Sequence, residues 1–127
     1  MKRTKNPRCE GKGCPIEVSL EVIGGMWKTL IIRELMNGTR RYSEIHRALT
    51  PITHKMLAQQ LRDLENDGVL LRKVYPQVPP KVEYSLSALG KELVPLMGAM
   101  KLWGERVLRH RENKSPAASG KIEKIKA

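Results

Sequence analysis

The chain has 127 residues, 40% of them apolar, with 4% aromatics and no Phe, so it can bury one modest core of Leu, Ile, Val and Met and leaves no room for a second domain. Cys9 and Cys14 are too few for a disulfide framework, no apolar run reaches the roughly 18 residues of a membrane span, and no apolar segment follows the basic start MKRTKNPR as a secretory signal would require. A cytoplasmic protein without a membrane partner is expected. The net charge of +11 sits mainly at the ends: residues 1–13 hold five basic and one acidic residue, residues 109–127 six and two, and residues 14–108 thirteen and ten.

Residues 1–13 have no periodicity and read as a basic, disordered arm. Pro15 suits the first position of a helix with Ile16, Leu20 and Ile23 inside, and Gly24-Gly25 ends it. A second helix is predicted from about Met26 to Met36, where Trp27, Leu30, Ile31 and Leu35 make one apolar face, and Asn37-Gly38 stops it. Ser43 is expected to cap a short helix ending near Leu49, with a turn at Thr50-Pro51-Ile52. Thr53 then caps a helix that runs to Asp67 and closes at Gly68.

That helix divides by angle. At about 100° per residue, Leu57, Leu61 and Leu64 share one stripe, and Lys55, Gln59 and Arg62 share the opposite one with Ala58 beside them. Taken alone this is an ordinary amphipathic helix. Between residues 40 and 62, however, Arg40, Arg41, Arg47, Lys55 and Arg62 are opposed only by Glu44. Lys and Arg suit guanine and phosphate, Gln suits adenine, and a small Ala permits close approach to a groove floor.

Leu70 to Tyr75 and Lys81 to Leu86 read as two strands; in the second, Val82, Tyr84 and Leu86 alternate with Lys81, Glu83 and Ser85. Pro76, Pro79 and Pro80 stiffen the loop between them. Arg72, Lys73 and Lys81 at the base of this ribbon are candidates for phosphate contact. Ser87 caps a last helix in which Leu86, Leu89, Leu93, Leu96, Met100, Trp103 and Val107 follow at alternating spacings of three and four, the pattern of a coiled-coil seam, which Pro95 is expected to kink or restart. Ile16, Leu20, Leu93, Leu96, Met100, Trp103 and Val107 are assigned to a dimer interface. Residues 112–127 read as a disordered basic tail, so the folded domain spans 14–111.

Helix, turn, helix and ribbon in this order make a mainly α fold with a small β-hairpin wing: a winged helix-turn-helix, paired into a homodimer through its terminal helices. The chain has no Gly-rich phosphate loop, no nucleophile elbow and no His-Glu metal motif, and His46, His54 and His110 are unpaired in sequence, so an enzyme is not expected. Cofactors and metals are likewise not expected. Two sulfurs, even with His46 or His54, make poor zinc geometry.

Residues 14 to about 108 resemble the HxlR-type winged helix-turn-helix regulators, relatives of the MarR group found in bacteria and archaea. The resemblance lies in Cys14-Pro15, GGMWKTLIIREL from Gly24, NGTRRYSEI from Asn37, ITHKMLAQQLRDLENDGVLLR from Ile52, PPKVEYSLSALG from Pro79, and Trp103. It implies a homodimeric transcription factor on a pseudo-palindromic operator in double-stranded DNA. Thr53, His54, Lys55 and Gln59 would face the major groove, Arg40, Arg41 and Ser43 would approach the backbone, and the wing would bring Arg72, Lys73 and Lys81. The family often has Ser where Thr53 stands and Thr where Ala58 stands, a departure that bears on the bases contacted and not on the fold. Cys14 matches an N-terminal cysteine that senses oxidants or electrophiles in some members. A thiol at a helix N-terminus feels the positive end of the dipole, which favours the reactive thiolate; the alternative is a packed, structural thiol. An oxidant or a small molecule is the open class of effector. A different reading of the whole chain is a winged helix that binds protein, or that binds DNA without operator preference through its basic tails.

Overall fold

The computed structural model describes residues 13–114, so Cys9, most of the basic arm and the tail from Ser115 onward lie outside the described residues. The chain divides after Leu93 into two units. The first begins with α1 (Pro15–Ile23) and α2 (Lys28–Leu35). Pro15 stands at the start of α1 because its missing N–H would be unpaired there in any case. Ile23 is buried, but Ile16 and Leu20, expected inside, are 71% and 59% exposed. On α2 the buried face is Ile31, Ile32 and Leu35 together with Lys28, while Trp27 and Leu30 are only half-buried.

A two-residue strand that periodicity did not reveal follows: β1 (Arg40–Arg41) pairs antiparallel with β3. This strand changes how the next helix, α3 (Tyr42–Ala48), begins. Pairing keeps the chain extended through Arg41, which becomes the N-cap, and its backbone N–H donates to Oε1 of Glu44 at 2.8 Å. Ser43 therefore lies in the first turn instead of capping it. Leu49 and Ile52 are buried in the turn, closed by a bond from the Ile52 N–H to the Leu49 carbonyl at 3.0 Å.

Then comes α4 (His54–Asn66), capped as expected: the Thr53 hydroxyl accepts from the Met56 N–H at 3.1 Å. Gly68, with φ +82°, lets the chain turn back so that the Val69 N–H reaches the Leu64 carbonyl at 2.9 Å. Strands β2 (Leu70–Tyr75) and β3 (Lys81–Leu86) have the predicted limits and form the sheet order β1-β3-β2. Leu70, Tyr84 and Leu86 supply its buried face.

Ser87 caps α5 (Ala88–Lys91), accepting from the Gly90 N–H at 3.0 Å. Gly90 packs directly on the Val69 carbonyl, where a Cβ would collide. The helical run breaks at Glu92, and α6 (Leu93–Lys114) follows. Pro95 thus falls in the first turn of α6, where a missing N–H removes no intrahelical bond, instead of kinking a continuous helix. The seam is also shorter than the spacing implied, because Leu86 pairs with Leu70 across the sheet and is buried there. The second unit begins at Val94, and its described part is the rest of α6, which extends past residue 111 to Lys114. No helix among the described residues is long and apolar enough to cross a membrane.

Candidate nucleic-acid interface

Helix α4 is held from one side. Leu57, Leu61 and Leu64 are 0%, 1% and 0% exposed, while Thr53, His54, Lys55, Gln59 and Arg62 are exposed and Ala58 is half-buried. Burying three leucines at this spacing leaves the opposite stripe pointing away from the core. The inner face fixes the helix, and the outer face is free to meet a partner.

The N-terminus of α4 is tied to α3 by a group that pattern reading treated as separate residues. The Tyr42 hydroxyl lies 3.0 Å from Nδ1 of His54, and the rings of His46 and His54 stack at 3.8 Å between centroids, 4° from parallel. Burial pushes the Tyr42 phenol above its usual value, so it stays neutral. His54 is therefore a clamp between the two helices of the motif as well as an exposed side chain. Stacked faces do not converge their nitrogens on a common point, and among the described residues no group of three or more His, Cys, Asp or Glu is placed to hold a metal ion.

The sheet carries the remaining cations in two rows, one on each of its faces. Arg40 and Arg72 stand opposite Tyr84 from the two outer strands, and Arg41 and Lys73 stand opposite Glu83. Residues opposite one another share a face, so each row spans about 10 Å at the usual strand spacing. β1 thus makes the arginines before α3 part of the wing. Lys81 is more engaged than its neighbours: its Nζ lies 3.3 Å from Glu83 and 4.4 Å from the Tyr75 ring centre, and Lys73 lies 4.9 Å from the same ring. Desolvation works against charge on Glu83. Hydrogen bonds from Tyr75 and Lys81 and the charges of Lys81 and Arg41 outweigh it and hold the carboxyl below its ordinary range.

Between α4 and the sheet lies an open cleft of about 470 Å³, lined in part by Tyr42, Arg62, Glu65, Arg72 and Tyr84. Arg62 on the helix and Arg72 on the wing provide cations on both walls, and Glu65 holds Arg72 at 3.4 Å. Two arginines against one carboxylate leave this lining net positive. At the other end of the unit, Cys14 occupies the N-cap position of α1 and is half-buried; its carbonyl accepts from the Val18 N–H at 2.8 Å.

Two helices joined by a tight turn, with a β-hairpin that shares its sheet with the strand before them, define a winged helix-turn-helix protein. The chain belongs to the HxlR-like helix-turn-helix family, whose model matches residues 22–112. It is 46% identical over 114 residues to the HTH-type transcriptional regulator YdeP of Bacillus subtilis, spanning 90% of this chain and 88% of YdeP. Among solved structures, it is similar to the redox regulator HypR in its reduced form, with 44% identity, a TM-score of 0.71, and 84% of this chain and 99% of HypR covered. It is also similar to the reduced form of the transcriptional regulator YodB from B. subtilis, with 36% identity, a TM-score of 0.66, and 73% and 92% covered. The protein is accordingly a DNA-binding transcriptional regulator and not an enzyme.

Proposed function

We propose that the protein is a sequence-specific cytoplasmic regulator that binds as a homodimer, with the two copies of α4 in successive major grooves of a pseudo-palindromic operator. The observation that carries this reading is the division of α4: one stripe wholly buried, the other exposed beside a cleft with arginines on both walls. In this reading Thr53, Lys55, Ala58, Gln59 and Arg62 face the bases, with His54 at the groove edge. Arg40, Arg41, Ser43, Arg72, Lys73 and Lys81 contact the phosphates. Pairing through α6 is supported by its unburied apolar residues: Leu96 is 40% exposed, Met100 42% and Trp103 69%, with Ile16 and Leu20 of α1 exposed as well. Leu93 and Val107 complete that interface. Competition binding tests the reading. At about 150 mM salt, affinity for the preferred duplex should exceed affinity for random duplex by about 10³ or more, and equal affinities would leave only general DNA or protein binding.

Oxidant control through Cys14 belongs to the same reading. HypR is described as a redox regulator, and Cys14 stands at a helix N-terminus, where the dipole favours the thiolate. A mild oxidant should change operator affinity in the native chain and not in Cys14→Ser. Unchanged affinity with the thiol demonstrably modified would remove Cys14 from regulation.

A further inference from the structure

The outer stripe of α4 is a chain of contacts and not three independent side chains. Gln59 donates from Nε2 to Oδ1 of Asp63 at 2.9 Å and accepts at Oε1 from Nη1 of Arg62 at 3.1 Å. A carboxylate only accepts and a guanidinium only donates, so these two neighbours dictate which end of the amide faces which. Asp63 is itself held: its Oδ2 lies 3.5 Å from Nζ of Lys28, a lysine on α2 that is only 9% exposed. If Asp63 swung away to release Gln59, it would orphan a buried ammonium, which is strongly unfavourable. Lys28 thus anchors Asp63, Asp63 orients Gln59, and Gln59 braces Arg62.

This order bears on which base the helix reads. Glutamine recognises adenine through both amide ends at once, one donating to N7 and the other accepting from N6. In this chain each end already serves a protein partner. Arg62 gives up one of its five N–H groups to Gln59 and keeps the others for guanine O6 and N7. Resting on the reading of α4 as the recognition helix, we propose that Lys28 and Asp63 are positioning residues for base preference: they commit Gln59 to bracing Arg62, so that the pair selects guanine over adenine at one base step.

Parallel selections from a randomised duplex library, with the full-length native chain, Arg62→Ala and Asp63→Ala, test the proposal. The native chain should enrich guanine at the position whose preference Arg62→Ala abolishes. Asp63→Ala frees the amide and should shift that one position toward adenine by about tenfold, with the other positions unchanged. Because Asp63→Ala strands the Lys28 charge, the double variant Lys28→Met with Asp63→Ala is selected beside it and should show the same shift in a core relieved of that charge. An adenine preference at the Arg62-dependent position in the native chain would overturn the proposal while leaving specific binding intact. So would a preference unmoved in the double variant, or one weakened evenly across all positions. A native chain that enriches no sequence would overturn the operator reading itself, and this proposal with it.

Discussion

In α4, Leu57, Leu61 and Leu64 are at most 1% exposed, whereas α6 buries no residue along its 22, leaving Trp103 69% and Leu102 64% exposed. The apolar spacing of the two helices is similar, and their exposure is opposite. The α4 stripe is covered by the chain's own core, which orients the polar stripe behind it. The α6 apolar residues Leu102 and Trp103 stay exposed among the described residues, and each large apolar side chain that a second copy buried would contribute about 1.5–3 kcal/mol. Periodicity identifies an apolar face, and only the fold shows whether the chain itself covers it.

Substitutions on the two helices should separate these uses, beginning with the largest effect. Leu61→Ala opens a cavity under α4 and should cost about 2–5 kcal/mol in chemical denaturation. A loss under 1 kcal/mol would show that α4 is not core-anchored. Trp103→Ala combined with Met100→Ala should leave the α4 core intact but raise the dimer dissociation constant by about tenfold or more in sedimentation equilibrium. An unchanged constant would take the pairing role from α6. Thr53→Ala removes the hydroxyl that accepts from Met56 and should cost about 1 kcal/mol, read as a lowered denaturation midpoint.

The smaller effects concern the wing. Lys81→Ala should weaken every DNA sequence alike and reduce the slope of log affinity against log salt by about one, while Gln59→Ala should alter sequence preference. Equal loss on all sequences for both variants would erase the distinction between readers and phosphate contacts. The Glu83 carboxyl, held below its ordinary value of 4.5, adds stability that is complete above that value and lost as pH falls through its lowered value. Acid titration followed by NMR should therefore show the Tyr75 and Lys81 signals moving only below about pH 4.5; movement near neutral pH would contradict the assignment.

Local patterns were legible in the sequence where one element carried the whole signal. The leucines of α4, the alternation of β3 and the caps at Thr53 and Ser87 each depend on neighbours a few residues away. What stayed hidden depends on distant partners. A strand of only two residues, Arg40–Arg41, shows no alternation and exists through β3. Lys28 lies buried beside Ile31, Ile32 and Leu35 because Asp63, on another helix, supplies its counter-charge. The 3,4 spacing runs unbroken through Glu92 although the helix does not, since Leu86 belongs to the sheet. One signal was within reach: Gln59 and Asp63 are four apart, the separation at which helical side chains meet. That pairing shows that Gln59 is already engaged before any base arrives.

Hydroxyl-radical footprinting of the full-length protein on its selected duplex checks whether α4 is presented to DNA by its buried stripe while α6 pairs two copies. Two protected half-sites related by a dyad should appear, their centres about 10 base pairs or a multiple of that apart. A single protected half-site, or even protection without a dyad, would contradict that arrangement.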